Sequence, residues 1–270
     1  MCIERMNFHF SRFTTKLDKY IFQSKICTLK LVSQKRPECD LHFVTASDSS
    51  HFKSSLQLIR SIESRIDASI TYYNLGLTQE EKLELVENHK SIKVIDFPFT
   101  EFPNWFAINE FAGHYAWKAN IIEAAAEKRI GHLFWVDAGC KLLFDISIAR
   151  GILEKDGYFI LNASGSLGDL THQITVERLQ AQERVNTPML SAAFIGFDLQ
   201  NVVAFELVTK WASHSRQKMI IAPPGSNRLN HRQDQSVLTI LINEIEGLRT
   251  KRYRNVASRQ FGFLIHQDVD

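Results

Sequence analysis

A carboxylate stands directly behind one of the most apolar runs of the chain. Leu133-Phe134-Trp135-Val136 leads straight into Asp137, Ala138 and Gly139. Four consecutive apolar residues are what a central strand buried on both faces requires, so the spacing holds Asp137 rigidly at a strand end, at the mouth of a crevice. Ala138 and Gly139 leave room for a ligand to approach the backbone. One carboxylate so placed can bind a hard divalent cation, which in turn neutralises a diphosphate. On its own, Asp137 reads equally well as a cap on the turn that ends the strand.

Other residues with chemistry to offer are spread along the chain. Leu41-His42-Phe43-Val44-Thr45-Ala46 reads as a first strand and ends on the polar run Ser47-Asp48-Ser49-Ser50. Lys118 sits on an Ala- and Glu-rich helical stretch, where a bare lysine is usually a solvated one. Asp234 follows His231 and Arg232 at a helix start, where a carboxylate is favoured by the helix dipole. His266 stands near the C-terminus in Phe263-Leu264-Ile265-His266-Gln267-Asp268. Trp105, Tyr115, Trp117 and Trp135 can present flat faces to a sugar; for Trp117 and Trp135 the core is the preferred reading, and Trp105, in the loop-like Phe102–Phe106 segment, is the candidate for acceptor contact.

These side chains need a scaffold, and the pattern predicts one. After a polar, Pro-containing boundary at Ser33–Asp40, short apolar runs alternate with longer helical patterns. Phe52, Leu56, Ile59 and Ile62 recur at helical spacing within 51–65. A second strand spans Ala68–Tyr73, and Thr78 with Glu81 opens a helix as a capping box. A third strand covers Ser91–Phe97 and is stopped by Pro98. Residues 116–128 read as a helix ahead of the Leu133–Val136 strand. Farther on, 158–161 and 192–197 read as strands, with helices over 169–186, 201–216 and 234–244. The succession predicts an α/β fold, Rossmann-like, with a mixed but mostly parallel central sheet and helices on both faces. Residues 1–39 are expected as an N-terminal extension packed on a domain of residues 40–270. In such sheets ligands bind beyond the carboxyl ends of the strands, which singles out Thr45–Asp48 and Asp137–Gly139.

Bulk properties remove several function classes. The chain has 270 residues, 44% hydrophobic and 23% charged, with a formal charge of +2, too small to argue for a nucleic-acid partner. Cys2, Cys27, Cys39 and Cys140 form no CxxC pair and no zinc-ligand spacing, and read as free thiols in a reducing compartment. No apolar run reaches the roughly 20 residues that span a bilayer, so a cytoplasmic location is expected. Segment 6–31 mixes aromatics with Arg and Lys and could suit peripheral membrane contact; packing on the domain is the preferred reading. A nucleotidyltransferase would want a Gly-rich, basic loop after the first strand, and Thr45-Ala46-Ser47-Asp48 has neither Gly nor Lys.

Taken in order, four segments resemble the GT-A nucleotide-sugar glycosyltransferases. They are Phe43–Asp48, Tyr115 through Cys140, Ser191–Phe197 and His231–Leu238, the last similar to an Asp-Gln-(Ser/Ala)-x-Leu helix opening. The likeness covers roughly residues 40 to 268. It implies transfer of a sugar from a nucleotide-diphosphate donor to a hydroxyl acceptor such as a glycan, with uridine diphosphate the commonest product. It places Thr45, Ala46 and Asp48 at the nucleobase, Lys118 and Arg232 at the diphosphate, and Gly139 beside the donor. Asp137 and Asp234 become the catalytic carboxylates, Asp234 a candidate general base for an inverting reaction. A divalent metal, Mn or Mg, would be held by Asp137 and, as in family-eight enzymes, by a late histidine, here His266. The departure is Gly139, which stands where metal-dependent members carry the second carboxylate of Asp-x-Asp. That departure also supports an alternative, a non-catalytic nucleotide- or glycan-binding protein that retains the fold.

Overall fold

The computed structural model describes residues 41–89, 91–127, 131–247 and 251–269. The expected N-terminal extension and its membrane-facing reading lie outside them, as do Cys2, Cys27 and Cys39.

The order of elements follows the alternation of the sequence. β1 (Leu41–Asp48), α1 (Phe52–Glu63), β2 (Ser69–Gly76), α2 (Gln79–Asn88) and β3 (Ile92–Asp96) come first. Then follow α3 (Ala116–Ala126), β4 (His132–Val136), β5 (Lys141–Leu142), α4 (Ser147–Asp156), β6 (Tyr158–Phe159), β7 (Asn162–Ser166) and α5 (Gln173–Arg178). The chain ends with β8 (Pro188–Leu190), β9 (Phe194–Asp198), α6 (Val202–Ser215), α7 (Gln233–Glu246) and β10 (Phe263–Leu264). The main sheet has the order β3-β2-β1-β4-β9-β6. Its first four strands are parallel, while β9 runs antiparallel to β4 and β6 antiparallel to β9.

Every residue of β4 is buried, as the unbroken apolar run demands. Side chains alternate across the sheet. Leu133 and Trp135 enter a core shared with α3 and α6, and Phe134 and Val136 enter one shared with α1 and α4. The Thr78–Glu81 capping box forms as its spacing predicts, a cap worth about 1 kcal/mol. Two predicted elements are shorter than expected. The strand over 158–161 pairs only at Tyr158–Phe159, and the polar stretch 169–186 keeps one α-helix of two turns, α5, followed by a 3-10 turn at Gln182–Arg184. Gln180, at φ 51°, ends the helix in a left-handed turn, while Val176 and Ala181 bury into a small cluster with Leu170, Leu179 and Val185. Among the described residues no helix is long and apolar enough to cross a membrane.

The functional consequence lies in the strand order. β1 leads outward to β2 on one side, and β4 lies against its other side, so the connections diverge between β1 and β4. A crevice opens beyond their carboxyl ends at this kind of switch point, and Asp48 and Asp137 stand at those two ends.

Candidate active site at the carboxyl ends of β1 and β4

A cleft of about 600 Å³ occupies that position, within the size range of small-ligand sites. Ala46 and Asp48 of β1, Asp137–Cys140 after β4, and Arg232–Gln235 at the start of α7 all line it. Thr45 does not. It is 1% exposed, buried within β1 one residue short of the lining.

Asp48 is held where β1 gives way to a 3-10 turn. Its Oδ1 accepts from Ser50 Oγ at 2.6 Å and faces His51 Nδ1 at 3.2 Å. Partial burial raises its pKa, but the bonds and charge from Ser50 and His51 outweigh that and leave it lowered. This end of the cleft therefore carries a carboxylate held in its ionised form.

At the other strand end, Asp137 N–H donates to Ala193 O at 2.8 Å, and Cys140 N–H closes the turn on Asp137 O at 2.9 Å. Trp135 Nε1–H donates to Asp137 Oδ1 at 2.7 Å. The same oxygen lies 2.9 Å from Lys118 Nζ, which also reaches Asp234 Oδ2 at 3.2 Å and Ala192 O at 3.3 Å. Among the described residues the Ala192 contact is the hydrogen bond, the two carboxylates are ion-pair contacts, and the buried Asp234 Oδ2 has no hydrogen-bond partner. Lys118 is 4% exposed. Burial pulls its pKa down, yet the two carboxylates more than compensate and it is raised. Asp234 is raised by burial and by the Asp137 charge, with Lys118 opposing. The structure places Lys118 in the floor of the cleft, where it joins both carboxylates.

Arg232, by contrast, lines the cleft with its guanidinium making no hydrogen bond or ion pair among the described residues. Arg228 Nη1 donates to Tyr115 Oη at 2.8 Å and stacks on that ring at 5.6 Å. Tyr115 ends an unusual turn. Phe111, Ala112, Gly113, His114 and Tyr115 all have positive φ, between 49° and 58°. A left-handed residue other than glycine costs on the order of 1 kcal/mol. Trp117 Nε1–H donates to Ala112 O at 2.9 Å and Gly113 N–H to Glu110 O at 2.8 Å, which hold the turn. Ile108, Ala112 and Tyr115 form this wall of the cleft, while Trp105 packs against Phe106 at 4.5 Å.

The C-terminal segment makes the remaining wall. β10 pairs antiparallel with β5, Gln267 N–H donates to Gly139 O at 2.7 Å, and Gln57 Nε2 donates to Gln267 O at 2.7 Å. This brings the exposed His266 and Asp268 to the cleft. A β-carbon on Gly139 would lie 2.8 Å from Asp268 Cγ and closer still to Oδ1, so the carboxylate occupies the space a side chain at 139 would take. Sequence reading passed over Asp268 and Arg228 as site residues, and offered Tyr115 only as a flat face for a sugar. The only available signal was the polar His-Gln-Asp end of an apolar segment.

Among the described residues no three His, Cys, Asp or Glu side chains converge as a metal cage. A magnesium-type ion on a diphosphate needs no such cage. It takes one or two carboxylates and completes its shell from phosphate and water. With Trp135 and Lys118 on Oδ1, Asp137 has Oδ2 for such an ion, and the glycine cradle beside it is filled by a second carboxylate. The residues present therefore fit a divalent cation that shares a diphosphate.

A family model described as a protein of unknown function (DUF1647) matches residues 6–123. No curated protein matches the chain. Among solved structures, core-mannan synthase A from Aspergillus fumigatus in its Mn/GDP form is similar, at 11% identity over 85% of this chain and 75% of that one, with a TM-score of 0.55. The WbbM bifunctional glycosyltransferase matches at 12% identity, 76% of this chain and a TM-score of 0.48, and this chain spans 38% of its length. A mannosyltransferase from Pyrobaculum calidifontis in complex with GDP-Man and Mn2+ matches at 11% identity, 88% of this chain, 77% of that one and a TM-score of 0.42. With its six-stranded, mostly parallel sheet and flanking helices, the chain has the fold of the GT-A glycosyltransferases.

Proposed function

We propose that this protein is a glycosyltransferase that moves a sugar from a nucleoside diphosphate donor to a hydroxyl acceptor. The observation that carries the reading is the buried Asp137–Lys118–Asp234 bridge at the floor of a cleft on the sheet's switch point. A lysine with three internal partners holds two carboxylates in fixed positions, and fixed charge is what transition-state stabilisation needs. The likeness of the fold to glycosyltransferases supports the same reading.

Roles follow from position. Ala46 and Asp48 flank the nucleoside end. Arg232, with its guanidinium unpaired among the described residues, receives the diphosphate, whose charge grows as the bond to the sugar breaks. Asp137 lies beneath the sugar-phosphate, and Asp234 meets the reacting sugar. When bound, a divalent cation would supply further positive charge at the diphosphate, held through Asp137 with His266 as another donor on the same wall. The wall of Ile108, Ala112 and Tyr115 faces the acceptor.

Thermal unfolding against a panel of nucleoside diphosphates and nucleotide sugars, with donor hydrolysis measured alongside, tests this reading. A donor that raises the melting temperature and is slowly hydrolysed supports it. Tight nucleotide binding without hydrolysis or transfer to any hydroxyl acceptor would instead make the chain a binding protein on a transferase fold.

A further inference from the structure

Gly139 and Asp268 are matched to each other. The carboxylate of Asp268 lies over the α-carbon of Gly139, in space that any side chain at position 139 would have to claim. Asp268 does not arrive there by drift of a free tail. On one side Gln267 N–H is bonded to Gly139 O at 2.7 Å. On the other, Val269 N–H donates to Ser54 Oγ at 2.9 Å, and Gln57 Nε2 holds Gln267 O. Upstream, Phe263 and Leu264 are in register with Leu142 and Lys141. Bonds on both flanks fix the Cα of Asp268 against the strand-end turn that carries Asp137.

The carboxylate itself is left without a partner. Asp268 makes no hydrogen bond or ion pair through its side chain among the described residues, although it lines the cleft. Asp137 and Asp268 both line the cleft beside Gly139. Two like charges on either side of one glycine repel each other. An arrangement that builds this repulsion in gains by placing a cation between them.

We infer that Asp268 supplies the second carboxylate of the cation site, reaching in from the C-terminal strand to the place that Gly139 leaves open. The ligand is a divalent cation shared with the donor diphosphate, and the inference rests on the transferase reading for that diphosphate alone. Asp137 then holds the ion from the β4 side and Asp268 from the β10 side. The glycine is explained by the same contact, since a larger residue at 139 would expel Asp268.

The test is Mn2+ binding by the full chain, followed through the electron paramagnetic resonance of the free ion, alone and with added GDP or UDP. Wild type should bind Mn2+, and Asp268→Asn, with an unchanged melting temperature, should bind it at least about tenfold more weakly, a loss that even outer-shell changes can produce at metal sites. The double variant Gly139→Asp/Asp268→Gly moves the carboxylate to the strand-end turn and should regain most of the affinity. Equal Mn2+ affinity in wild type and Asp268→Asn would overturn the inference, and so would a wild-type protein that binds a nucleotide sugar but no Mn2+ in its presence. The latter leaves the transferase reading standing. Mn2+ bound through Asp268 in a protein that recognises no nucleotide sugar would leave the cation site standing and remove the transferase.

Discussion

Lys118 Nζ meets Asp234 Oδ2 at 3.2 Å between side chains that are 5% and 7% exposed, so a residue of α3 is tied to the first turn of α7 inside the core. The same ammonium holds Asp137. Removing the cation leaves a buried carboxylate without compensation, the expensive way to break an internal pair. Lys118→Met should therefore cost about 3–5 kcal/mol of stability, measured by urea unfolding at neutral pH. The double variant Lys118→Met/Asp234→Asn should recover part of that loss. A change in the single variant no larger than about 0.5 kcal/mol, typical of surface sites, would mean that the ammonium is solvated and the bridge is not formed.

The two carboxylates should separate stability from turnover. Asp137 is 38% exposed in its side chain and adds little to the core. Asp137→Asn keeps an oxygen for the Trp135 N–H but loses the charge. Donor hydrolysis or transfer should fall by at least about a hundredfold, the usual scale for a lost catalytic charge, with the circular dichroism spectrum unchanged. Turnover at the wild-type rate would take Asp137 out of the chemistry.

Arg232 is the cleft arginine without an internal partner among the described residues, and the proposed function makes it the contact for a diphosphate. Arg232→Ala should weaken nucleoside diphosphate binding by about tenfold or more, in line with the 1.5–3 kcal/mol of a charged hydrogen bond, and leave unfolding unaffected. Calorimetric titration decides. Unchanged affinity would place the diphosphate elsewhere in the cleft.

How much of this was legible beforehand depended on whether position followed from local pattern. The sheet did: β1 and β4 are runs of apolar residues ending on Asp48 and Asp137, and those ends are the cleft. Lys118 was visible as a residue but not in its role. The clue was that α3, Ala-Trp-Lys-Ala-Asn-Ile-Ile-Glu-Ala-Ala-Ala, has no solvated face, and a helix apolar all round is buried with whatever charge it carries. Asp268 was out of reach, because only the tertiary pairing of β10 with β5 brings it to Gly139. Thr45 was placed in the site by likeness; in the structure it is buried within β1 and the cleft lining begins at Ala46.

The left-handed turn at Phe111–Tyr115 was equally hidden, since it contains one glycine and four residues that avoid such angles. Gly113 is the position with no alternative. At φ 58°, a β-carbon there would lie 2.9 Å from the carbonyl carbon of Phe106 and closer to its oxygen. Gly113→Ala should cost about 2–4 kcal/mol, combining a backbone clash with a left-handed residue. Since Tyr115 and Ala112 line the wall proposed to face the acceptor, the variant should raise the KM for acceptor more than that for donor. A silent substitution would show that the turn relaxes freely.

His231 gives the protein a pH dependence of its own. It is 0% exposed, its Nε2–H donates to Ile221 O at 3.0 Å, and its Nδ1 accepts from His172 N–H at 3.3 Å. The neutral ring satisfies both bonds, and a second ring proton would evict the His172 amide. Burial is the main reason its pKa falls from 6.5 to about 4. The unfolded chain therefore binds this proton at a higher pH than the folded one. The stabilisation is complete above pH 6.5 and is lost as pH falls from there to about 4, a span worth about 3 kcal/mol. His231→Gln cannot titrate, so its unfolding free energy should decline less steeply than wild type across that window, measured by denaturant unfolding at half-unit steps. Parallel slopes in the two proteins would mean that other groups govern the acid limb and that His231 takes up its proton without disturbing the Ile221–His172 clamp.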